Sequence, residues 1–337
     1  MTAVRIWRSL LFVPANNWKM LNKAASEMQD AVLVDLEDAC PPAEKETGRI
    51  FARDIIPAFK AKGIDTLVRV NSLQTEGLTE EDLRIIVREE LDGIMLPKAE
   101  SGEEICKAAA LLSREEKAKG IRSERVIIPL LESPKGIMNA REIASSSNRV
   151  VALAFGAADF MREMGAGFTV TRMTPDEYFP ILSYPRSVIA VTATALGIPA
   201  IDTPFFGLLT DNEGLERESS RVRLLGFKGK LLTHPRQIET VHRVFSPSEE
   251  DVSASLRMIK AYEEAQAQGK GAASLDGKMI DIAMYRMGLE TIAKAEGIEK
   301  RARQRKEEAG SRGFLEREGI PDFLRGHPFT ANGTVPP

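Results

Sequence analysis

Short apolar runs recur along this chain, and each gives way at its downstream end to charged or strongly polar residues. The run at 9–13 opens onto Pro14-Ala15-Asn16, that at 31–34 onto Asp35-Leu36-Glu37-Asp38, that at 66–68 onto Arg69-Val70-Asn71, and that at 93–96 onto Pro97-Lys98. Further along, 126–131 opens onto Glu132, 150–155 onto Gly156-Ala157-Ala158-Asp159, 199–201 onto Asp202, and 229–232 onto Thr233-His234. The runs are continuous rather than alternating, as strands covered on both faces require. Helical spacing fills most of the gaps, at 17–28, 43–61, 79–90, 101–116, 134–144, 179–196 and 211–225. Thr79-Glu80-Glu81-Asp82 and the pair Ser101 and Glu104 read as capping boxes opening two of these helices. Eight strands alternating with helices predict an α/β fold, a (β/α)8 TIM barrel whose polar strand ends gather at one rim.

The chain has 337 residues, enough for a barrel of roughly 250 with about 90 beyond it. The pattern assigns 1–246 to a barrel catalytic domain and 247–309 to a helical extension, with 310–337 as an irregular tail. Within the extension, 247–268 reads as a helix, 269–281 as a break, and 282–307 as one or two further helical segments. The tail is punctuated by Gly and Pro and carries Phe314, Phe323 and Phe329; it fits either docking on a neighbouring subunit or disorder. The stretch 162–177, with Gly165 and Gly167, reads as a loop or lid near a ligand or as a plain connection.

Charge narrows the function classes. With 46 basic and 49 acidic residues and a formal charge of −3, the surface has no strong bias toward nucleic acid. The basic cluster at 294–306 alternates with glutamates and fits a solvated or subunit-facing helix, or an anion contact. No window approaches the roughly twenty apolar residues of a membrane span. The first nine residues lack the apolar core of a secretory signal, so a cytoplasmic location is expected. Cys40 and Cys106 stand in dissimilar settings and the three histidines are scattered. A metal here would be held by oxygen, which favours magnesium or manganese over zinc.

Glu132 and Asp159 end consecutive central strands and can converge on one divalent cation, waters and substrate completing an octahedron. Either alone fits a cap or a salt bridge equally well. Asp35, Glu37 and Asp38 could bind the metal's waters or orient neighbouring cations. Arg69 is the candidate for a substrate carboxylate, because its fork matches planar oxygens bidentately. Asn71 could assist it or cap the turn, and Lys98 could offset negative charge or form an ordinary rim salt bridge. A divalent ion beside an arginine suits a 2-oxo acid, since the same charge polarises its carbonyl and stabilises an enolate. No lysine is placed as an obvious Schiff base.

Nine motifs in order carry a family likeness: Arg8-Ser9-Leu10-Leu11-Phe12-Val13-Pro14, Asp35-Leu36-Glu37-Asp38, Arg69-Val70-Asn71, Leu96-Pro97-Lys98, Glu132-Ser133-Pro134-Lys135-Gly136, Gly156-Ala157-Ala158-Asp159, Ala200-Ile201-Asp202, His234-Pro235-Arg236-Gln237-Ile238 and Asp276-Gly277-Lys278-Met279-Ile280-Asp281. The chain resembles the citrate lyase beta subunit or HpcH/HpaI aldolase family, which includes malyl-CoA and citramalyl-CoA lyases. The resemblance implies a magnesium-dependent acyl-CoA lyase, with Glu132 and Asp159 as metal ligands and Arg69 on the carboxylate of the keto-acid half. Glu37 and Asp38 look like partners of the metal's waters. Coenzyme A would lie along the Pro14–Asn16 turn, with Lys19 and Lys98 as further contacts. Asp281 looks like the acid–base residue, delivered across the interface of a homotrimer or hexamer, although its place also suits a helix cap. A chain that keeps this end looks more like a stand-alone lyase for malyl-CoA or citramalyl-CoA than like a carrier-associated subunit. A thioesterase or a metal aldolase could use the same site. The chain departs from the family at Ala158, where relatives commonly carry an acid, and in the tail after Gly310.

Overall fold

The computed structural model describes residues 5–166 and 172–311. Within them, β1 (Ser9–Pro14), β2 (Ala31–Asp35), β3 (Asp65–Arg69), β4 (Gly93–Leu96), β5 (Val126–Leu131), β6 (Leu153–Phe155), β7 (Ala200–Asp202) and β8 (Gly229–Leu232) pair in parallel and in chain order. β8 returns to pair with β1, so the barrel is closed. Between the strands run α1 (Trp18–Ala24), α2 (Lys45–Ala61), α3 (Leu78–Ile86), α4 (Gly102–Ala118), α5 (Pro134–Met138) and α6 (Ala140–Ser145). They are followed by α7 (Ala157–Glu163), α8 (Pro175–Tyr178), α9 (Ser183–Ala195), α10 (Asn212–Leu224) and α11 (Ile238–Phe245). The eight expected strands are all present, within a residue or two at most boundaries.

Strand parity divides the apolar residues into two cores. Leu10, Leu33, Leu67, Met95, Ile128, Ala154, Ile201 and Leu231 fill the barrel interior. The alternate residues, such as Leu11, Val34, Val68 and Ile127, pack outward against helix side chains including Phe51 and Phe59. Period-two alternation on a sheet buried on both sides produces continuous apolar runs. The same parity sends Asp202 and Lys230 outward, where Lys230 Nζ donates to Asp202 Oδ2 at 2.6 Å and to Glu218 Oε1 at 2.6 Å. Arg186 Nε completes the set, donating to Asp202 Oδ1 at 2.9 Å. Burial opposes ionisation of Asp202, but Arg186 and Lys230 outweigh it and hold its carboxyl below the usual range. Removing one member would strand a buried charge at a cost of about 3–5 kcal/mol. This network fastens α9 and α10 to β7 and β8.

Caps follow the sequence at one expected box and depart from it at the other. Ser101 and Glu104 form the reciprocal box at the head of α4. Thr79 does not cap α3. The chain enters that helix through Gly77, at φ +76°, a conformation that favours glycine. Thr79 Oγ1 instead donates to the Asn71 carbonyl at 2.9 Å, while Asp82 accepts the Asn71 N–H at 2.7 Å. Both polar side chains of the supposed box turn inward to pin the loop after β3.

Beyond the barrel come α12 (Glu249–Ala267), a hairpin of β9 (Ala273–Leu275) and β10 (Lys278–Ile280), and α13 (Ile282–Ser311). Asp276 and Gly277, at φ +51° and +77°, form the hairpin's two-residue turn, the conformation that Asp-Gly favours. The sequence reading had only a break there. The basic cluster on α13 is also not simply solvated. Arg301 Nη1 donates to the Ile6 carbonyl and to Asp65 Oδ2, each at 3.1 Å. Arg305 donates to the carbonyls of Gly63 at 3.1 Å and Met28 at 3.2 Å. The helix is thereby docked under the barrel, at the end opposite the polar rim. Gly167 of the expected loop or lid, and the tail aromatics Phe314, Phe323 and Phe329, lie outside the described residues. Among the described residues, no helix is long and apolar enough to cross a membrane.

Candidate active site

Three inward-parity positions at the carboxyl ends of the strands build the floor of the site. Asp35 and Arg69 are register partners across β2 and β3. Arg69 gives both forks of one edge to Asp35, Nε to Oδ1 at 2.8 Å and Nη2 to Oδ2 at 2.6 Å. Its guanidinium lies 4.9 Å over the ring of Phe12. Asp35 also accepts the Glu37 N–H at 2.9 Å, which fixes the turn carrying Glu37 and Asp38. Arg69 Nη1 reaches Glu37 Oε2 at 3.0 Å and Asp38 at 3.8 Å. The arginine is thus buried with its bidentate edge already filled by a protein carboxylate.

Glu132 is the third position, directly after β5. It is 4% exposed, and its Oε1 accepts the Lys98 N–H at 2.7 Å. Lys98 adopts φ +52° to point that N–H at Glu132, an uncommon conformation for a residue with a side chain. Its Nζ donates to Glu37 Oε1 at 2.7 Å. Opposite Glu132, a Cβ at Gly156 would lie 2.6 Å from both the Glu132 Cβ and its Oε2. Only glycine leaves room there.

Charge at this rim is unbalanced. With all five acids ionised, Asp35, Glu37, Asp38, Glu132 and Asp159 would exceed the three cations beside them, Arg69, Lys98 and Arg162, by two negative charges. Burial, the charge of Glu37 and, more weakly, Asp159 push the Glu132 carboxyl up to about 8. Burial likewise raises Glu37, although Arg69 and Lys98 oppose it. Glu37 Oε2 is buried without a directed hydrogen bond despite its closeness to Arg69. A hard divalent cation would neutralise the excess, and an all-oxygen donor set fits magnesium or manganese. Among the described residues, no three His, Cys, Asp or Glu side chains converge as a ready ligand group. Glu132 and Asp159 would supply two such oxygens to a cation, with water and substrate completing its shell.

A cavity of ≈ 390 Å³ opens between these acids, lined by Glu132, Asp159, Lys98, Ser72, Thr75 and Arg162 among others. Asp159 sits in the first turn of α7, where its Oδ1 accepts from Arg162 Nε at 3.1 Å. Ser72, Gln74 and Thr75 belong to the loop that Asn71 and Asp82 pin, so the supposed substrate-assisting Asn71 is occupied in shaping that wall. At the β1–α1 turn, Asn17 caps α1 through its Oδ1, Asn16 is tied to Glu44, and Lys19 is exposed. Asp281 is not brought to the cavity within one chain. Its Oδ1 accepts the Met284 N–H at 2.9 Å, capping α13.

An acid-rich cavity on the carboxyl rim of a closed β/α barrel is the frame of an enzyme. The HpcH/HpaI aldolase/citrate lyase family model matches residues 8–235, and the chain belongs to that family. Citrate lyase subunit beta from Haemophilus influenzae is 37% identical over 280 residues, covering 82% of this chain and 93% of that protein. The mitochondrial citramalyl-CoA lyase of Homo sapiens is 32% identical over 304 residues, covering 87% of each. Among solved structures, the CitE protein of Mycobacterium tuberculosis in complex with magnesium, acetoacetate and coenzyme A is similar at a TM-score of 0.70 and 27% identity. That match covers 86% of this chain and 98% of the other. Membership makes metal-dependent lyase activity the class of this protein.

Proposed function

We propose that this chain is a magnesium-dependent carbon–carbon lyase that reversibly cleaves a 3-hydroxy-dicarboxylic acyl-CoA, of the malyl-CoA or citramalyl-CoA type. The products are a 2-oxo acid and acetyl-CoA or a related acyl-CoA. The observation that carries this reading is the uncompensated negative charge around Glu132 and Asp159 at an open cavity. Magnesium, or manganese in its place, would be held by these two carboxylates and would supply Lewis-acid polarisation and charge neutralisation. Glu37 and Asp38 orient water beside them, with Glu37 set by Lys98 and Arg69. Arg69 meets the carboxylate of the keto-acid half along its Nη1 edge, exchanging Glu37 for substrate. Pro14, Asn16, Lys19 and Lys98 border coenzyme A, Lys19 offering an exposed positive charge to its phosphates.

In the cleavage direction the hydroxyl passes its proton to the water that Glu37 and Asp38 orient, its oxygen becomes the carbonyl oxygen of the 2-oxo acid, and the bond to the thioester α-carbon breaks. Its electrons pass to the thioester enolate, and the 2-oxo acid departs. Asp281, supplied by a neighbouring subunit of a homotrimer or hexamer, protonates that carbon; in condensation it removes the proton. The test is incubation of malyl-CoA, citramalyl-CoA, 3-hydroxy-3-methylglutaryl-CoA and citryl-CoA with magnesium, products identified by mass. A 2-oxo acid with an acyl-CoA is expected. Free hydroxy acid with coenzyme A would make the protein a thioesterase instead. Glu132→Gln and Asp159→Asn should each lose nearly all turnover together with metal affinity; unchanged kinetics in either variant would remove that residue from the site.

The 37% identity to a citrate lyase beta subunit favours one second reading, the same bond cleavage on a carrier-tethered thioester. A chain that binds magnesium yet turns over no free coenzyme A thioester would support it.

A further inference from the structure

Two cations line the cavity, Lys98 and Arg162. Lys98 is fastened to Glu37 at 2.7 Å. Arg69 is not among the lining residues, and its Nε–Nη2 edge is filled by Asp35. Arg162 differs from both. Its side chain is 65% exposed, its Nε donates to Asp159 at 3.1 Å, and among the described residues the carboxylate facing its Nη2 is that of Glu163, at 3.7 Å. Among the described residues, the guanidinium with an open fork inside this cavity is therefore that of Arg162, and it is held by a carboxylate on which the proposed metal site depends.

We propose that Arg162 is a metal-gated anion-binding residue, held by Asp159 until a divalent cation claims that carboxylate, and then turned to share with the Nη1 edge of Arg69 the carboxylate of the 2-oxo acid. The proposal rests on Asp159 serving as a metal ligand. A carboxylate that gives its charge to a dication holds a guanidinium weakly, and the dication repels the guanidinium directly. An exposed arginine on a helix surface can change rotamer at little cost, and its planar fork matches a carboxylate bidentately. Cation and oxo acid would then bind cooperatively, the first freeing the group that holds the second.

The test uses the full chain with Mn2+ titrated by electron paramagnetic resonance and pyruvate titrated calorimetrically at saturating Mn2+. Arg162→Gln removes the competitor for Asp159. It should bind Mn2+ about two- to fivefold tighter, the range an exposed ion pair allows, while binding pyruvate about tenfold more weakly, as befits loss of a charge-assisted contact. Arg162→Lys should recover part of both changes. Wild-type behaviour of Arg162→Gln in either titration overturns the proposal. Asp159→Asn separates the two layers. If it binds Mn2+ like wild type, the metal-site reading fails and this inference with it; if it loses Mn2+ while Arg162→Gln matches wild type, only the role of Arg162 is overturned.

Discussion

Gly156 stands at inward parity beside Glu132, because Leu130 of β5 is in register with Ala154 of β6 and both chains continue two residues further. Substituting Gly156→Ala would drive a methyl to 2.6 Å from a buried carboxylate side chain. The strain should cost about 1–3 kcal/mol of stability and displace Glu132 from the Lys98 N–H. The expected outcome is a lowered denaturation midpoint with a disproportionate loss of metal affinity, read by parallel denaturant and metal titrations; equal, small changes would show that the site tolerates the methyl. A second residue-scale expectation concerns His242, at the opposite end of the barrel. Its Nε2 lies 2.7 Å from Ser9 Oγ, and burial, with Arg8, Arg305 and Arg301 against Asp30, lowers its pKa to about 4. The unfolded histidine, near 6.5, takes its proton first as pH falls. Stability from the neutral ring is complete above 6.5, declines below it, and levels off near 4, for a total of at most about 3 kcal/mol. His242→Gln should flatten that part of the stability profile measured by urea unfolding; an unchanged slope would count against the shift. The rim positions of single residues were legible where charged side chains and strand ends coincide, as at Glu132, Lys98 and Glu37. They were not where pairing decides the role. Arg69 reads as a free clamp until the register sets Asp35 beside it, and nothing in the pattern singles out Arg162, which lies seven residues past the end of β6, on α7.

Elements were legible to the extent that their boundaries are set by local chemistry. The runs of Val, Ile and Leu located all eight barrel strands, and the Ser101–Glu104 box placed the head of α4. Thr79 offered the same local signal but a stronger partner, the Asn71 carbonyl, drew its hydroxyl away. The destination of α13 was hidden for a different reason. Its basic residues look solvated because the groups that receive them are main-chain carbonyls at 6, 28 and 63, which no side-chain pattern announces. This docking can be tested. Arg305→Met keeps the apolar stem but leaves the carbonyls at 28 and 63 without this donor, a loss of about 1–3 kcal/mol if they remain buried. Hydrogen exchange within 282–311 should then quicken relative to the barrel strands, and an unaltered exchange pattern would mean that Arg301 and packing suffice.

At the scale of the whole molecule, the proposed role of Asp281 depends on a second copy, because its own chain does not bring it to the cavity. The hairpin of β9 and β10 ends at Ile280, and Asp281 then caps α13, so its carboxylate is held at the head of that helix. Exposed apolar side chains accompany it on this extension, Met279, Ile282, Met287 and Leu289, a composition suited to burial against another copy. If the proton-transferring aspartate is donated between subunits, two individually inactive variants should repair each other. Asp281→Asn retains an intact metal site and lacks the donor; Glu132→Gln retains the donor and lacks the metal site. In randomly mixed oligomers with equal input, half of the barrels are intact and half of those receive an intact donor, so about a quarter of wild-type activity should return. The measurement is turnover after mild dissociation and reassembly of the mixture, with each variant reassembled alone as control. Activity no greater than the controls, from oligomers shown to be mixed, would place Asp281 in the work of capping its helix and leave the proton to another group.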